Sequence, residues 1–144
     1  MVDVIAQWRG RLAIRYLATG QSHGLPVAGN IGLRAALGRW ICLFDDTTLP
    51  FADHIDVLLR YAQKHDAEGV YAQPFMLTEC HTVMKRSIAT VLFAREVFLR
   101  LGGFSEDGGV DSMDELAFRY LSKADVRLIE KSTVWLTHPC VSRS

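Results

Sequence analysis

Apolar residues recur along the chain in short blocks separated by polar turns. Residues 3–9 have the spacing of a closing helix, and 11–18, RLAIRYLA, alternate imperfectly and predict a strand. The polar loop TGQSHGLP follows. After Gly29-Asn30, the positions of Ile31, Leu33, Ala35, Ala36 and Leu37 predict a short helix stopped by Gly38. Trp40-Ile41-Cys42-Leu43-Phe44 is a continuous apolar run, which suits a strand buried on both faces as in a parallel sheet. It breaks off in Asp45-Asp46-Thr47-Thr48-Leu49-Pro50.

Pro50 is expected to open a helix over about 51–65, where Ile55, Val57, Leu58, Leu59 and Ala62 form an apolar stripe. Residues 69–75 and 87–93 predict two more strands. Residues 94–101 predict a helix ended by Gly102-Gly103, and Ser112 opens another to about 124. Residues 126–130 and 133–137 predict two late strands. Helix and strand are interleaved throughout, so the fold class is α/β.

The 144 residues are the length of one domain, and no repeat, linker or low-complexity tract divides them. Apolar residues make up 49% and charged residues 22%, which excludes a disordered tail, a collagen-like rod and a disulfide miniprotein. Sixteen basic residues balance sixteen acidic ones, so no global field exists to hold nucleic acid. Asp3 stands where a signal peptide carries basic residues, and no apolar run reaches 18 residues, so neither a leader nor a membrane span is expected. Cys42, Cys80 and Cys140 are odd in number and far apart, which fits reduced thiols in the cytoplasm. A peripheral position at the inner face of a membrane stays open.

Four features offer chemistry. Asp45 and Asp46 follow an apolar strand, and ligands of open α/β sheets bind beyond such strand ends. Their oxygens are hard ligands suited to Mg²⁺ or Mn²⁺ on a diphosphate. The same residues would also serve as a polar turn capping the next helix. Gly102 to Gly109 is a glycine-rich acidic loop; it lacks the dinucleotide-binding spacing and does not follow a strand. In Asp111-Ser112-Met113-Asp114-Glu115, Ser112 and Glu115 form a capping box, and one of the carboxylates is a candidate general base. His138 follows the last predicted strand. Cys80-His81 and His138-Pro139-Cys140 have poor spacing for zinc.

In order and spacing, these pieces resemble family 2 glycosyltransferases of the GT-A fold. Asn30-Ile31-Gly32-Leu33-Arg34-Ala35-Ala36-Leu37-Gly38 matches the family's Asn-x-Gly-x-x-x-Ala-x-Gly stretch, and Asp45 comes seven residues after Gly38, where the family begins its Asp-x-Asp motif. The segment from Phe93 to Glu106 matches a helix that ends in Gly-Gly-Phe-Asp-Glu. Glu115-Leu116-Ala117-Phe118-Arg119 matches the second half of a Glu-Asp-x-Asp/Glu-Leu-x-x-Arg motif, and His138 fits a histidine after the late strands. The resemblance runs from about Leu12 to Pro139.

It implies a Rossmann-like, mostly parallel mixed sheet flanked by helices. It also implies a nucleotide-diphospho-sugar donor, a divalent metal (Mg²⁺ or Mn²⁺) and a hydroxyl acceptor on a sugar, a lipid-linked or another carrier, with inversion at the anomeric carbon. Asn30, Asp45 and Asp46 would meet the donor. Asp45, Asp46, Thr47 and His138 would hold the metal. Asp114, Glu115 or Asp111 would be the base, and Gly102, Gly103 and Phe104 would shape the acceptor side. The second motif aspartate falls on Thr47, and the family's Glu-Asp pair falls on Ser112-Met113.

The family's opening strand–helix–strand has no counterpart, so residues 1–144 read as one partial domain truncated at its N-terminus. The exposed apolar surface this would leave favours a partner chain or a homo-oligomer. A degenerate, inactive binding or assembly module is the alternative. A nucleotidyltransferase is a third reading, and the basic glycine-rich loop at the first strand that it needs is absent.

Overall fold

The computed structural model describes residues 2–20, 24–44, 48–72, 75–76, 91–107, 119–120, 122–129 and 134–136. In chain order the elements are α1 (Val2–Trp8), α2 (Leu25–Ala35), β1 (Trp40–Cys42), β2 (Thr48–Pro50), α3 (His54–His65), β3 (Gly69–Ala72), β4 (Phe75–Met76), β5 (Val91–Ala94), α4 (Arg95–Leu101), β6 (Val126–Ile129) and β7 (Val134–Leu136). The main sheet has the order β1-β5-β3-β6. Strands β1 and β3 both pair antiparallel with β5, and β6 pairs parallel with β3. Three of the four strands therefore run one way and β5 the other, which is the mixed, mostly parallel sheet expected. A smaller sheet has the order β2-β7-β4.

Side chains alternate across the main sheet, as the two-residue period of a strand requires. Ile41, Tyr71, Val91 and Phe93 join Leu33 of α2, Val97 of α4, Phe104 and Tyr120 in one core cluster. Val70, Ala72 and Leu92 join Leu58 and Ala62 of α3 in the other, with Trp40 and Cys42 packed against it. Helices thus cover both faces. That is why β3 is buried at all four positions and why its sequence is continuously apolar.

The stripe on α3 is narrower than expected: Leu58 and Ala62 are buried together with His54, spaced four apart, Val57 and Leu59 are half-buried, and Ile55 is exposed. Asp66 ends the helix in a left-handed conformation, φ 48°, a state aspartate tolerates. Helix α2 begins earlier than the apolar spacing suggests. Pro26 lies in its first turn, where a missing N–H costs nothing, and the helix ends at Ala35 rather than running to Gly38.

Two expectations are corrected. Residues 11–18 form no strand, and no described strand pairs with them. Leu12, Tyr16 and Leu17 are exposed, so the segment lacks both the ladder and the buried face that would hold it as a strand. Arg15 Nη1 donates to the Ala35 carbonyl at 2.7 Å, tying the segment to the end of α2. Pro50 does not open a helix; it closes β2 opposite Val134, and α3 starts at His54. Strand β2 is an edge strand, the place in a sheet where a residue without an N–H is accepted. Among the described residues no helix is long and apolar enough to cross a membrane.

Candidate functional site

The best-built site lies where α2 meets the chain leaving α4. Asn30 is buried in α2, at 3% exposure. Its Nδ2 donates to the Phe104 carbonyl at 3.0 Å and to Glu106 Oε1 at 2.9 Å. Its Oδ1 accepts from the Phe104 amide at 2.7 Å. One helical turn on, Arg34 Nη2 stands 3.5 Å from the same Glu106 oxygen, in a solvent-exposed pair.

The loop itself is fixed from a second direction. Tyr120 donates its hydroxyl to the Gly102 carbonyl at 2.6 Å, and Arg119 Nη2 donates to the Gly103 carbonyl. Three successive carbonyls, of residues 102, 103 and 104, are thus each taken by a different side chain. Glycine is required twice. Gly102 has φ 82° and ψ 176°, a conformation all but closed to other residues. At Gly103 a Cβ would overlap Asn30 Oδ1. Phe104 is buried in the core cluster with Tyr120 and Phe93, which anchors the loop from beneath.

Beside this loop is an open cavity of about 440 Å³, bordered by Arg34, Phe98, Leu99, Gly102, Gly103 and Glu106. It combines aromatic and aliphatic walls with one cation and one carboxylate, a mixture that suits a polar ligand with apolar faces.

Strand β1 ends at Cys42, and residues 43–44 carry the chain beyond the sheet toward 45–47. At the foot of this exit, Cys42 Sγ lies 3.6 Å from Nε2 of His54, which is 1% exposed. Phe44 sets its ring edge to the same imidazole, with centroids 5.5 Å apart. Burial pushes the Cys42 thiol up to about 12, against a weaker opposing hydrogen bond from the Leu43 backbone. A thiol so suppressed packs and does not attack.

Of the residues expected to act, the structure brings Asn30, Gly102, Gly103 and Phe104 together. Asp45, Asp46, Thr47, Asp111, Asp114, Glu115 and His138 lie outside the described residues. Among the described residues no group of three His, Cys, Asp or Glu side chains is placed to hold a metal. Arg34, Glu106 and Tyr120 were not singled out as site residues from sequence. Arg34 and Glu106 stand inside the matched motifs, whereas nothing in the sequence flags Tyr120.

The mixed sheet covered by helices on both faces is a GT-A glycosyltransferase fold. S. aureus TarS superposes with a TM-score of 0.82 at 10% identity, over 96% of this chain and 29% of that one. TarS 1–349 in complex with UDP-GlcNAc gives 0.79 at 10% identity, covering 96% and 46%. The same fragment in complex with UDP gives 0.77 at 12% identity, covering 96% and 47%. The chain therefore spans less than half the length of these TarS chains. A comparison with curated protein sequences found no match. The model of glycosyl transferase family 2 matches residues 1–125, and the chain belongs to that family.

Proposed function

We propose that this chain transfers a sugar from a nucleotide-diphospho-sugar donor to a hydroxyl acceptor, with inversion at the anomeric carbon. The observation that carries the reading is the family match over residues 1–125. The junction of the Asn30 stretch with the Gly102–Phe104 loop supports it. So does the fold shared with TarS, which has been crystallised with UDP-GlcNAc and with UDP.

In this reading a carboxylate of Asp114, Glu115 or Asp111 takes the proton of the acceptor hydroxyl. The acceptor oxygen bonds to the anomeric carbon as the bond to the diphosphate oxygen breaks, and the nucleoside diphosphate leaves with the electron pair. Asp45, Asp46, Thr47 and His138 would hold Mg²⁺ or Mn²⁺. That ion would supply neutralisation of the leaving diphosphate's charge. This assignment rests on the hard-oxygen chemistry of 45–47 just past β1. The loop from Gly102 to Phe104 borders the acceptor, and the reaction belongs in the cytoplasm or at the inner face of a membrane. A partner chain or second copy over the exposed apolar residues near the N-terminus belongs to the same reading.

Isothermal titration with UDP-linked and GDP-linked sugars, with and without Mn²⁺, tests it. Metal-dependent binding that disappears in Asp45→Ala is the expected result. Failure to bind any nucleotide sugar overturns it. Binding without transfer or donor hydrolysis would make the chain a binding module instead.

A further inference from the structure

We infer that Asn30 is a positioning residue that sets the acceptor-side loop and does not contact the donor. The inference rests on the glycosyl-transfer reading above. A carboxamide has two N–H bonds to give and one oxygen that receives. Both donor directions of Asn30 are taken, by the Phe104 carbonyl and the Glu106 carboxylate, and the oxygen holds the Phe104 amide. A diphosphate oxygen needs a donor, and Asn30, buried at 3% exposure, has none left to offer. The orientation of the amide is fixed by its neighbours, because the Phe104 N–H requires an acceptor and its carbonyl a donor.

The chemistry of the position explains the residue type. Asparagine is a poor residue in a helix interior, so α2 gains nothing locally from it. The compensation is tertiary: the bonds to Phe104 join positions 74 residues apart. Aspartate would set a second carboxylate against Glu106 and the Phe104 carbonyl, and alanine would strand a buried amide and a buried carbonyl. Arg34, on the same face of α2, holds Glu106 from outside. The helix therefore fixes both the backbone at 104 and the side chain at 106, two borders of the cavity beside the loop. Losing Asn30 should alter the fit of the acceptor and spare the donor.

The test uses Asn30→Ala with two independent readouts. Hydrogen exchange should speed the Phe104 amide at least tenfold while the β3 and β5 amides keep their protection. In transfer assays the acceptor KM should rise at least tenfold, with kcat and the donor Kd within about twofold of the parent. If alanine prevents folding, Asn30→Asp keeps the volume and an acceptor for the Phe104 amide; it should leave that amide protected and still raise the acceptor KM. Unchanged Phe104 exchange in Asn30→Ala overturns the inference. A tenfold loss of donor affinity with an unchanged acceptor KM does so too. If the parent chain transfers no sugar, the glycosyl-transfer reading fails, and the exchange result decides the role of Asn30 in the loop.

Discussion

Tyr120 donates its hydroxyl to the Gly102 carbonyl at 2.6 Å while its buried ring meets Phe93 edge-on, with centroids 5.0 Å apart. One side chain thus fills the core and fastens the loop. Tyr120→Phe keeps the packing and leaves the Gly102 carbonyl without this donor, so it should cost about 1 kcal/mol in chemical denaturation. A cycle pairing Tyr120→Leu with Phe93→Leu should return a coupling of about 0.5–1.5 kcal/mol, the range for edge-to-face rings.

Alkaline pH should destabilise the fold in two overlapping steps. Burial raises Cys42 from its ordinary value near 9 to about 12, and raises Tyr120 from near 10 to about 12. Both groups keep their protons longer when folded. Their stabilisation is complete below the unfolded values and is lost as pH climbs through 9 and 10 toward 12. Melting temperatures across that range should fall less steeply in Cys42→Ala and in Tyr120→Phe than in the parent.

Cys42 should resist alkylation in the native chain. Near pH 8 its modification by iodoacetamide, read by peptide mapping, should be at least ~100-fold slower folded than in urea, because the thiolate is the reacting form. Equal rates in the two states would contradict the burial of this thiol against His54.

The acid limb should depend on Glu68. Its carboxylate accepts from Arg100 at 2.6 Å and from the Asp125 amide at 2.9 Å, joining α4 to the start of β6. These bonds, Arg100 first, hold its pKa below the ordinary value of 4.5. The stabilisation is present above 4.5 and disappears as pH falls through the lowered value. Glu68→Gln should therefore flatten the loss of stability on acidification, and should matter less at high salt because the pair is partly exposed.

Adjacent glycines should fail for different reasons. Gly102→Ala meets no neighbouring atom and pays only for its backbone conformation, about 1–3 kcal/mol. Gly103→Ala drives a methyl group into Asn30 and must displace either the loop or α2. Hydrogen exchange separates them: Phe104 protection should persist in the first and fall in the second.

Much of the framework was legible in the sequence, because β1, β3 and α3 carry periodicities that their environments repeat. The stripe of Leu58 and Ala62 needed only helical geometry, and the unbroken run through β3 needed only a sheet covered on both faces. The run at 40–44 marked β1, which ends at Cys42, pairs antiparallel and is fully buried only at Ile41. The failures have equally local causes. Pro50 carries the signal of a helix start, and an edge strand uses the same missing N–H. Residues 11–18 alternate, yet alternation makes a strand only where another strand supplies hydrogen bonds. The Asn30 motif could be recognised, but its partner could not, since nothing local to residue 30 points to residue 104. Tyr120 carried no signal because its role is set by the loop it meets.

The Gly102–Phe104 loop after α4 draws its three fastenings from residues 30, 119 and 120. During synthesis Asn30 of α2 emerges 74 residues before its partner Phe104, and Gly103 and Gly102 emerge 16 and 18 residues before the side chains that hold their carbonyls. Loop closure is an entropic cost met before such distant contacts repay it, and folds governed by distant contacts form slowly. The Gly102–Phe104 loop is therefore among the last parts to set, and a chain ending before residue 119 would hold the motif without the shape.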